Sequence, residues 1–165
     1  MDDHEISKLA RQEDKYWWNI LRKNLINHTI TTNIKNTGKL NILDIGCGPG
    51  GTTNILTKFG NVTGADTSKA ALENLNKRFP NIKGELCNLD GTNFPFENAK
   101  FDLVTAFDVL EHIQKDTVVM SEMHRVLKPL GYVLVTVPAH PYLWSYRDVT
   151  LMHKRRYTKE ELSKK

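Results

Sequence analysis

Cysteine is scarce: the 165-residue chain holds only Cys47 and Cys87. Two thiols make no disulfide framework, and they fit a reducing compartment. Long apolar runs are missing too, so no segment offers the roughly 20 residues that a transmembrane helix needs. The opening stretch, MDDHEISKLARQED, is charged and lacks the apolar core of a secretory signal. These absences together point to a cytoplasmic protein with no transmembrane segment. Internal repeats and Gly/Ser- or Pro-rich linkers are also lacking, so the chain reads as one compact domain. Neither sign of charge dominates: 23 basic against 19 acidic residues leave a net charge of +4. That excess is too mild to argue for a specific nucleic-acid partner.

What is present is an ordinary globular composition, 39% hydrophobic and 25% charged, arranged in an alternating pattern. Ile6, Leu9, Tyr16, Trp17, Ile20, Leu21 and Leu25 recur at a roughly helical period, which predicts a helical segment over residues 1–35. Apolar strands are predicted at Leu40–Ile45, Val62–Ala65, Ile82–Leu86, Phe101–Phe107 and Tyr132–Val137. Between them lie helical segments at Thr52–Phe59, Ala70–Phe79 with Ser68 as N-cap, and Gln114–Leu127. Five strands alternating with helices imply an α/β fold, a doubly wound and mostly parallel sheet. Ligands of such sheets bind beyond the carboxyl ends of the strands. The polar and glycine residues fall there: Asp44 to Gly51, Asp66, Asp90, Asp108 and His140.

Gly46-Cys47-Gly48-Pro49-Gly50-Gly51 follows a strand and opens a helix. Glycines at such a turn admit positive φ and close approach of a ligand to the backbone. The run also satisfies G-x-G-x-x-G, and Asp66 lies 20 residues after Gly46, so spacing alone fits a dinucleotide site equally well. Two further acids break the tie. Asp44 would repel a pyrophosphate but suits a cationic amino-acid ligand, and Asp90 is placed to accept from an adenine amino group. Acids at three successive strand ends describe a site for an adenosine with a cationic tail.

Ile42-Leu43-Asp44-Ile45-Gly46-Cys47-Gly48-Pro49-Gly50 resembles the first motif of class I S-adenosylmethionine (SAM)-dependent methyltransferases, of the type 11/12 kind. Val62 to Ser68 resembles their second motif. Phe101-Asp102-Leu103-Val104 with Asp108 to His112, and Glu122 to Gly131, resemble their fourth-strand motif and the loop into strand five. The likeness runs from about Glu13 to Leu162. It implies a Rossmann-like methyltransferase fold, with SAM as cofactor and S-adenosylhomocysteine as product. By motif, Asp44 and the backbone of Gly46, Cys47, Gly48 and Gly50 face the methionine moiety. Asp66 takes the ribose hydroxyls and Thr67 lines the adenine. Asp90 takes the adenine amino group beside Leu89 and Gly91, and Phe107 lies near the sulfonium. An N-terminal helical cap, residues 1–37, would bring Tyr16, Trp17 or Arg22 over the cofactor held by residues 38–165. Plain helix packing explains Tyr16, Trp17 and Trp18 equally well, with at least one of the three in the core.

Tyr16-Trp17-Trp18 and His153 to Thr158 are similar to a bacterial and archaeal group whose genes are often linked to cell-envelope glycan or lipid synthesis. The resemblance therefore implies a small-molecule, lipid-linked or glycan-linked acceptor. His140, His112 and Asp108 are the candidates for a general base. Asp108-x-x-Glu111-His112 resembles the E-x-x-E-H metal motif of some O-methyltransferases, but with Asp in place of the first Glu and no fourth ligand in sight, no metal is expected. Arg155 and Arg156 read either as contacts to an acceptor or as a solvated surface. Class I methyltransferases usually carry seven strands, and the pattern here offers five. Strand five is then an open edge, to be covered by further chain or by a partner such as a second copy in a homodimer. The competing readings are a SAM-binding module without turnover and a nicotinamide-dependent oxidoreductase.

Overall fold

A computed structural model describes residues 17–35, 38–89 and 93–165. Five strands form one parallel sheet in the order β3-β2-β1-β4-β5. They are β1 (Leu40–Ile45), β2 (Gly60–Asp66), β3 (Lys83–Leu86), β4 (Phe101–Phe107) and β5 (Leu127–Thr136). The helices are α1 (Trp17–Asn33), α2 (Lys69–Arg78), α3 (Asp116–Val126), α4 (Tyr146–Thr150) and α5 (Lys159–Ser163). The strand order reverses between β1 and β4, so the crevice of a doubly wound sheet opens there.

Strand alternation sorts the side chains onto two faces. Ile42, Val62, Leu103 and Phe107 pack with Ile26 and Ile30 of α1, Leu56, and Leu72 and Leu75 of α2. Leu43, Ile45, Val104 and Ala106 pack on the other face with Val119, Met123 and Val126 of α3. Each large side chain buried completely there contributes about 1.5–3 kcal/mol.

Several elements differ from the sequence pattern. Residues Thr53–Lys58 form a 3₁₀ helix rather than an α-helix. Thr53 donates its hydroxyl to Asp44 at 2.6 Å and to the Cys47 carbonyl at 3.2 Å, which draws the first turn inward and favours the tighter winding. The α2 helix begins one residue early at Lys69, with Ser68 accepting from Ala71 N as its cap. Strand β5 begins at Leu127, directly after α3, rather than at Tyr132. Its pairing with β4 shifts register between Phe101 and Leu103, and Leu130 adopts φ +63°. Pro129, which has no N–H to give, is tolerated because the strand lies at the sheet edge and carries this irregularity.

The apolar period on α1 also reads differently in three dimensions. Trp17, Trp18, Ile20, Leu21 and Leu25 are exposed, and Ile26 and Ile30 carry the buried contact. The expected core aromatic is therefore neither Trp17 nor Trp18, and Tyr16 lies outside the described residues. No helix among the described residues is long and apolar enough to cross a membrane.

Candidate functional site

The glycine loop is built by the end of β1. Gly46 N and Cys47 N both donate to the Ala65 carbonyl of β2, at 2.7 and 3.1 Å, so the loop turns over the neighbouring strand. Gly46, Gly48 and Gly50 have φ of +69°, +53° and +88°, values that only glycine adopts freely. A Cβ on Gly46 would meet Val109 at 2.4 Å and one on Gly50 would meet Leu75 at 2.2 Å, so these two are fixed by packing. Gly48 differs, because a Cβ there would meet nothing within 4 Å. Its backbone faces open space, as a surface approached by a ligand must.

Asp66 ends β2 and organises this loop. One carboxylate oxygen accepts from Gly48 N at 2.9 Å and the other from Ser68 N at 2.8 Å. Each oxygen keeps a lone pair for a further donor. Asp44 is the opposite case. It is buried, with Thr53 and Thr105 hydroxyls each donating to one of its oxygens at 2.6 Å. Thr105 is its register partner on β4. Burial pushes the Asp44 carboxyl up to about 6, the threonine bonds and the Arg22 charge oppose this, and the negative charge of Asp66 adds to it. Asp44 and Asp66 are thus close enough to feel one another.

Arg22 of α1 reaches this end of the sheet. It pairs with Asp108 at the end of β4 and donates to Thr52 Oγ1 at 3.1 Å. Thr136 of β5 donates to the other Asp108 oxygen at 2.9 Å. Asp108 therefore acts as a clamp joining α1, β4 and β5. Phe107 and Leu89 are buried beneath the site, Cys47 is buried within the loop, and Thr67 is exposed beside it. Trp17 stands exposed on α1. Tyr16, Asp90 and Gly91 lie outside the described residues. Of the three carboxylates expected to converge, Asp44 and Asp66 are described, on the paired strands β1 and β2.

The two candidate histidines separate. His140 follows β5 in an unusual backbone conformation, φ +61°, exposed, with its ring 5.2 Å from that of Tyr142. His112 lies in a one-turn 3₁₀ helix, Leu110–His112, edge-on to His153 with ring centroids 4.8 Å apart. Desolvation and the neighbouring His153 lower its pKa. Arg155 and Arg156, both partly exposed, are held in ion pairs within the chain. Arg155 pairs with Asp116 at 2.9 Å. Arg156 grips Asp148 with two bonds, at 2.8 and 2.9 Å.

Asp148 and His153 went unrecognised as a unit in the sequence. Asp148 is buried and also accepts from Ser145 N, Ser145 Oγ and the His153 ring. Arg156 beside it, with these other donors, holds its carboxyl far below the usual range. The legible trace was the capping pattern Ser145-x-x-Asp148 before a short helix. Thr53 and Thr105, which hold Asp44, left no such trace.

The chain matches the family model of the methyltransferase domain over residues 43–135. A probable S-adenosylmethionine-dependent methyltransferase of Mycolicibacterium smegmatis is 30% identical over 125 residues, 74% of this chain and 48% of that protein. The demethylmenaquinone methyltransferase of Staphylococcus aureus is 33% identical over 116 residues, 67% of this chain and 48% of that one. The chain thus spans about half the length of these curated relatives. Among solved structures, phosphoethanolamine N-methyltransferase 2 of Haemonchus contortus, in complex with S-adenosyl-L-methionine, superposes with a TM-score of 0.67. It is 26% identical, covering 84% of this chain and 34% of that one. The matched segment holds the end of β1, the glycine loop, Asp66 and β2 to β4, and on it this chain belongs to the methyltransferase domain family.

Proposed function

We propose that this chain binds S-adenosylmethionine against the glycine loop and transfers its methyl group to a small-molecule, lipid-linked or glycan-linked acceptor. The observation that carries the proposal is the pairing of Gly48, open to approach, with an Asp66 carboxylate already oriented by two backbone N–H groups. Such a carboxylate presents its remaining lone pairs to the two hydroxyls of a ribose. In this reading Thr67 lines the adenine, Asp90 takes its amino group beside Leu89 and Gly91, and Asp44 fixes the loop that faces the methionine part. Phe107 underlies the reacting centre. The Arg22–Asp108 clamp holds α1 as a cap, with Trp17 at its start.

When bound, the cofactor supplies a methyl group on an already activated sulfonium, and S-adenosylhomocysteine is what remains. The protein's own task is alignment and exclusion of water, and orientation of this kind contributes roughly 7–11 kcal/mol. A hydroxyl acceptor also needs a base. His140 and His112 are the available groups, since Asp108 is occupied. A relative named for demethylmenaquinone supports an apolar acceptor, lipid-linked or small, and the exposed Trp17 and Trp18 offer it contact area.

Calorimetry with SAM, S-adenosylhomocysteine and NAD tests the reading. SAM and its demethylated product should bind one to one, and NAD should not. Asp66→Asn removes the charge behind two hydrogen bonds, each worth about 1.5–3 kcal/mol when one partner is ionised. SAM binding should weaken at least tenfold, and unchanged affinity, or binding of NAD instead, refutes the assignment. Transfer of tritiated methyl to a cell extract then separates an enzyme from a binding module.

A further inference from the structure

Glu111 is the most anomalous side chain among the described residues. It is completely buried, and neither carboxylate oxygen has a hydrogen-bond partner. Leaving a buried acceptor unsatisfied costs about 1–3 kcal/mol, and more for a charged group. Arg22, whose charge bears on Glu111, gives Nη1 to Asp108 and Nη2 to Thr52 and Asn19, and its buried Nε has no partner either. No hydrogen bond joins Arg22 to Glu111, so the carboxylate remains open to another ligand.

Two imidazoles stand beside it. One donor atom each from Glu111, His112 and His153 can be chosen so that all three lie within 4.8 Å of one another. His153 already has an outer partner. Its Nδ1 meets Asp148 at 3.0 Å, and Asp148 is itself gripped by Arg156. With Nδ1 engaged, the other ring nitrogen is left with its lone pair. An imidazole backed by a carboxylate in this way is the usual support of a metal-binding histidine. The backbone is stapled at the same place, with Lys154 N donating to the Glu111 carbonyl at 2.7 Å. The two segments are thus held in register before any ligand arrives.

We propose that Glu111, His112 and His153 form a binding site for one divalent transition-metal ion, with Asp148 as the residue that positions His153. Two neutral imidazoles and one carboxylate suit zinc, cobalt or ferrous iron rather than magnesium or calcium. Bonds of about 2.0–2.1 Å to one ion place ligand atoms about 3.3 Å apart, within reach of small side-chain rotations from the present spacing. His112 is exposed, so the ion has an entry path and keeps an open position for water or another ligand. Asp108 is not a ligand in this arrangement, because Arg22 and Thr136 hold it. The site draws on His153, forty-one residues beyond His112, so spacing within one helix does not reveal it. The inference engages His112, which leaves His140 as the base for a hydroxyl acceptor, and it is read without turnover.

The test uses the full chain stripped with a chelator and titrated with Co²⁺, with Zn²⁺ as competitor. Visible d–d bands of nitrogen- and oxygen-bound cobalt should grow to one equivalent and vanish on adding Zn²⁺. His112→Ala, His153→Ala and Glu111→Gln should each weaken binding at least tenfold, and Asp148→Asn by about tenfold. His28→Ala and His124→Ala, at exposed positions elsewhere, should change nothing. Should the buried-site variants fail to fold, paramagnetic broadening in the native chain decides the matter. It must fall on the ring resonances of His112 and His153 before any other histidine. Absence of a one-to-one cobalt complex, equal affinity in His112→Ala, or broadening centred elsewhere overturns the proposal.

Discussion

Asp44 shows how a single side chain sets conditions on the whole site. Its carboxyl is fully enclosed, and burial raises it from 3.8 to about 6 despite two threonine hydroxyls. A folded-state pKa above the unfolded one means that the native chain binds the extra proton. Stability is therefore highest below about pH 4 for this group, and it falls as pH rises through about 6. A shift of this size corresponds to about 3 kcal/mol. We expect denaturant unfolding of the ligand-free chain to show this loss between about pH 4 and pH 6.5, and Asp44→Asn to flatten the slope. The same slope in both proteins would show that the carboxyl is not perturbed as described. Asp44 was legible in the sequence as a strand-end acid, but its role was not. The amino-acid order says that it precedes Gly46, while only strand pairing reveals Thr105 opposite it. Thr53 reaches it solely because the loop turns back. Asp44 is accordingly tied from beneath to both the loop and β4.

At the scale of elements, the approach of β1 to β2 depends on Gly60. A Cβ there would lie 1.9 Å from the Leu40 carbonyl oxygen and 2.5 Å from its nitrogen. These are backbone atoms, which cannot swing aside. Gly60→Ala should therefore force the strand starts apart, at a cost of about 3 kcal/mol, the upper range for overpacking, read as a lowered denaturation midpoint. An alanine variant as stable as the native chain would mean that the strands pair differently at this end. The pattern of apolar runs located β1 and β4 because a parallel strand buried on both faces is a short continuous hydrophobic segment, whereas the edge strands β3 and β5 are partly exposed and carry a weaker pattern. It failed for Thr53–Lys58 and for the beginning of β5, and for a common reason. In both, tertiary contacts override local preference: the Thr53 bond to Asp44 in one, and the pairing of Leu127 with Phe101 across a register shift in the other. It failed too for the network of Asp148, His153 and Arg156, whose members are neither periodic nor at a strand end. Their partnership with Glu111 is a product of folding, since α4 and the turn after it come back against the loop following β4.

For the molecule as a whole, the winding of the sheet was legible and the state of its rim was not. Alternation of strands and helices implies parallel pairing, and glycines at the first strand end imply a ligand crevice, both from local sequence. How an edge is covered depends on whatever lies beside it. Strand β5 pairs with β4 on one side, and among the described residues no strand pairs with its other side. Tyr132 and Val133 remain about two-fifths to one-half exposed on it, and Leu130 is almost wholly exposed. Unpaired N–H and C=O groups flanked by β-branched and aromatic side chains form a template for another strand. The 165-residue chain should therefore self-associate through β5 as its concentration rises, detectable by sedimentation velocity. A lysine at such an edge blocks pairing by requiring its charge to remain in water, so Val133→Lys should return the chain to a monomer. Because two strands, β1 and β4, separate β5 from β2, the same variant should bind SAM as the native chain does. A native chain that stays monomeric at every concentration, or a lysine variant that associates equally, would show that this rim is already protected by its register shift and by Pro129. Loss of SAM binding on Val133→Lys would instead mean that the cofactor crevice extends to β5.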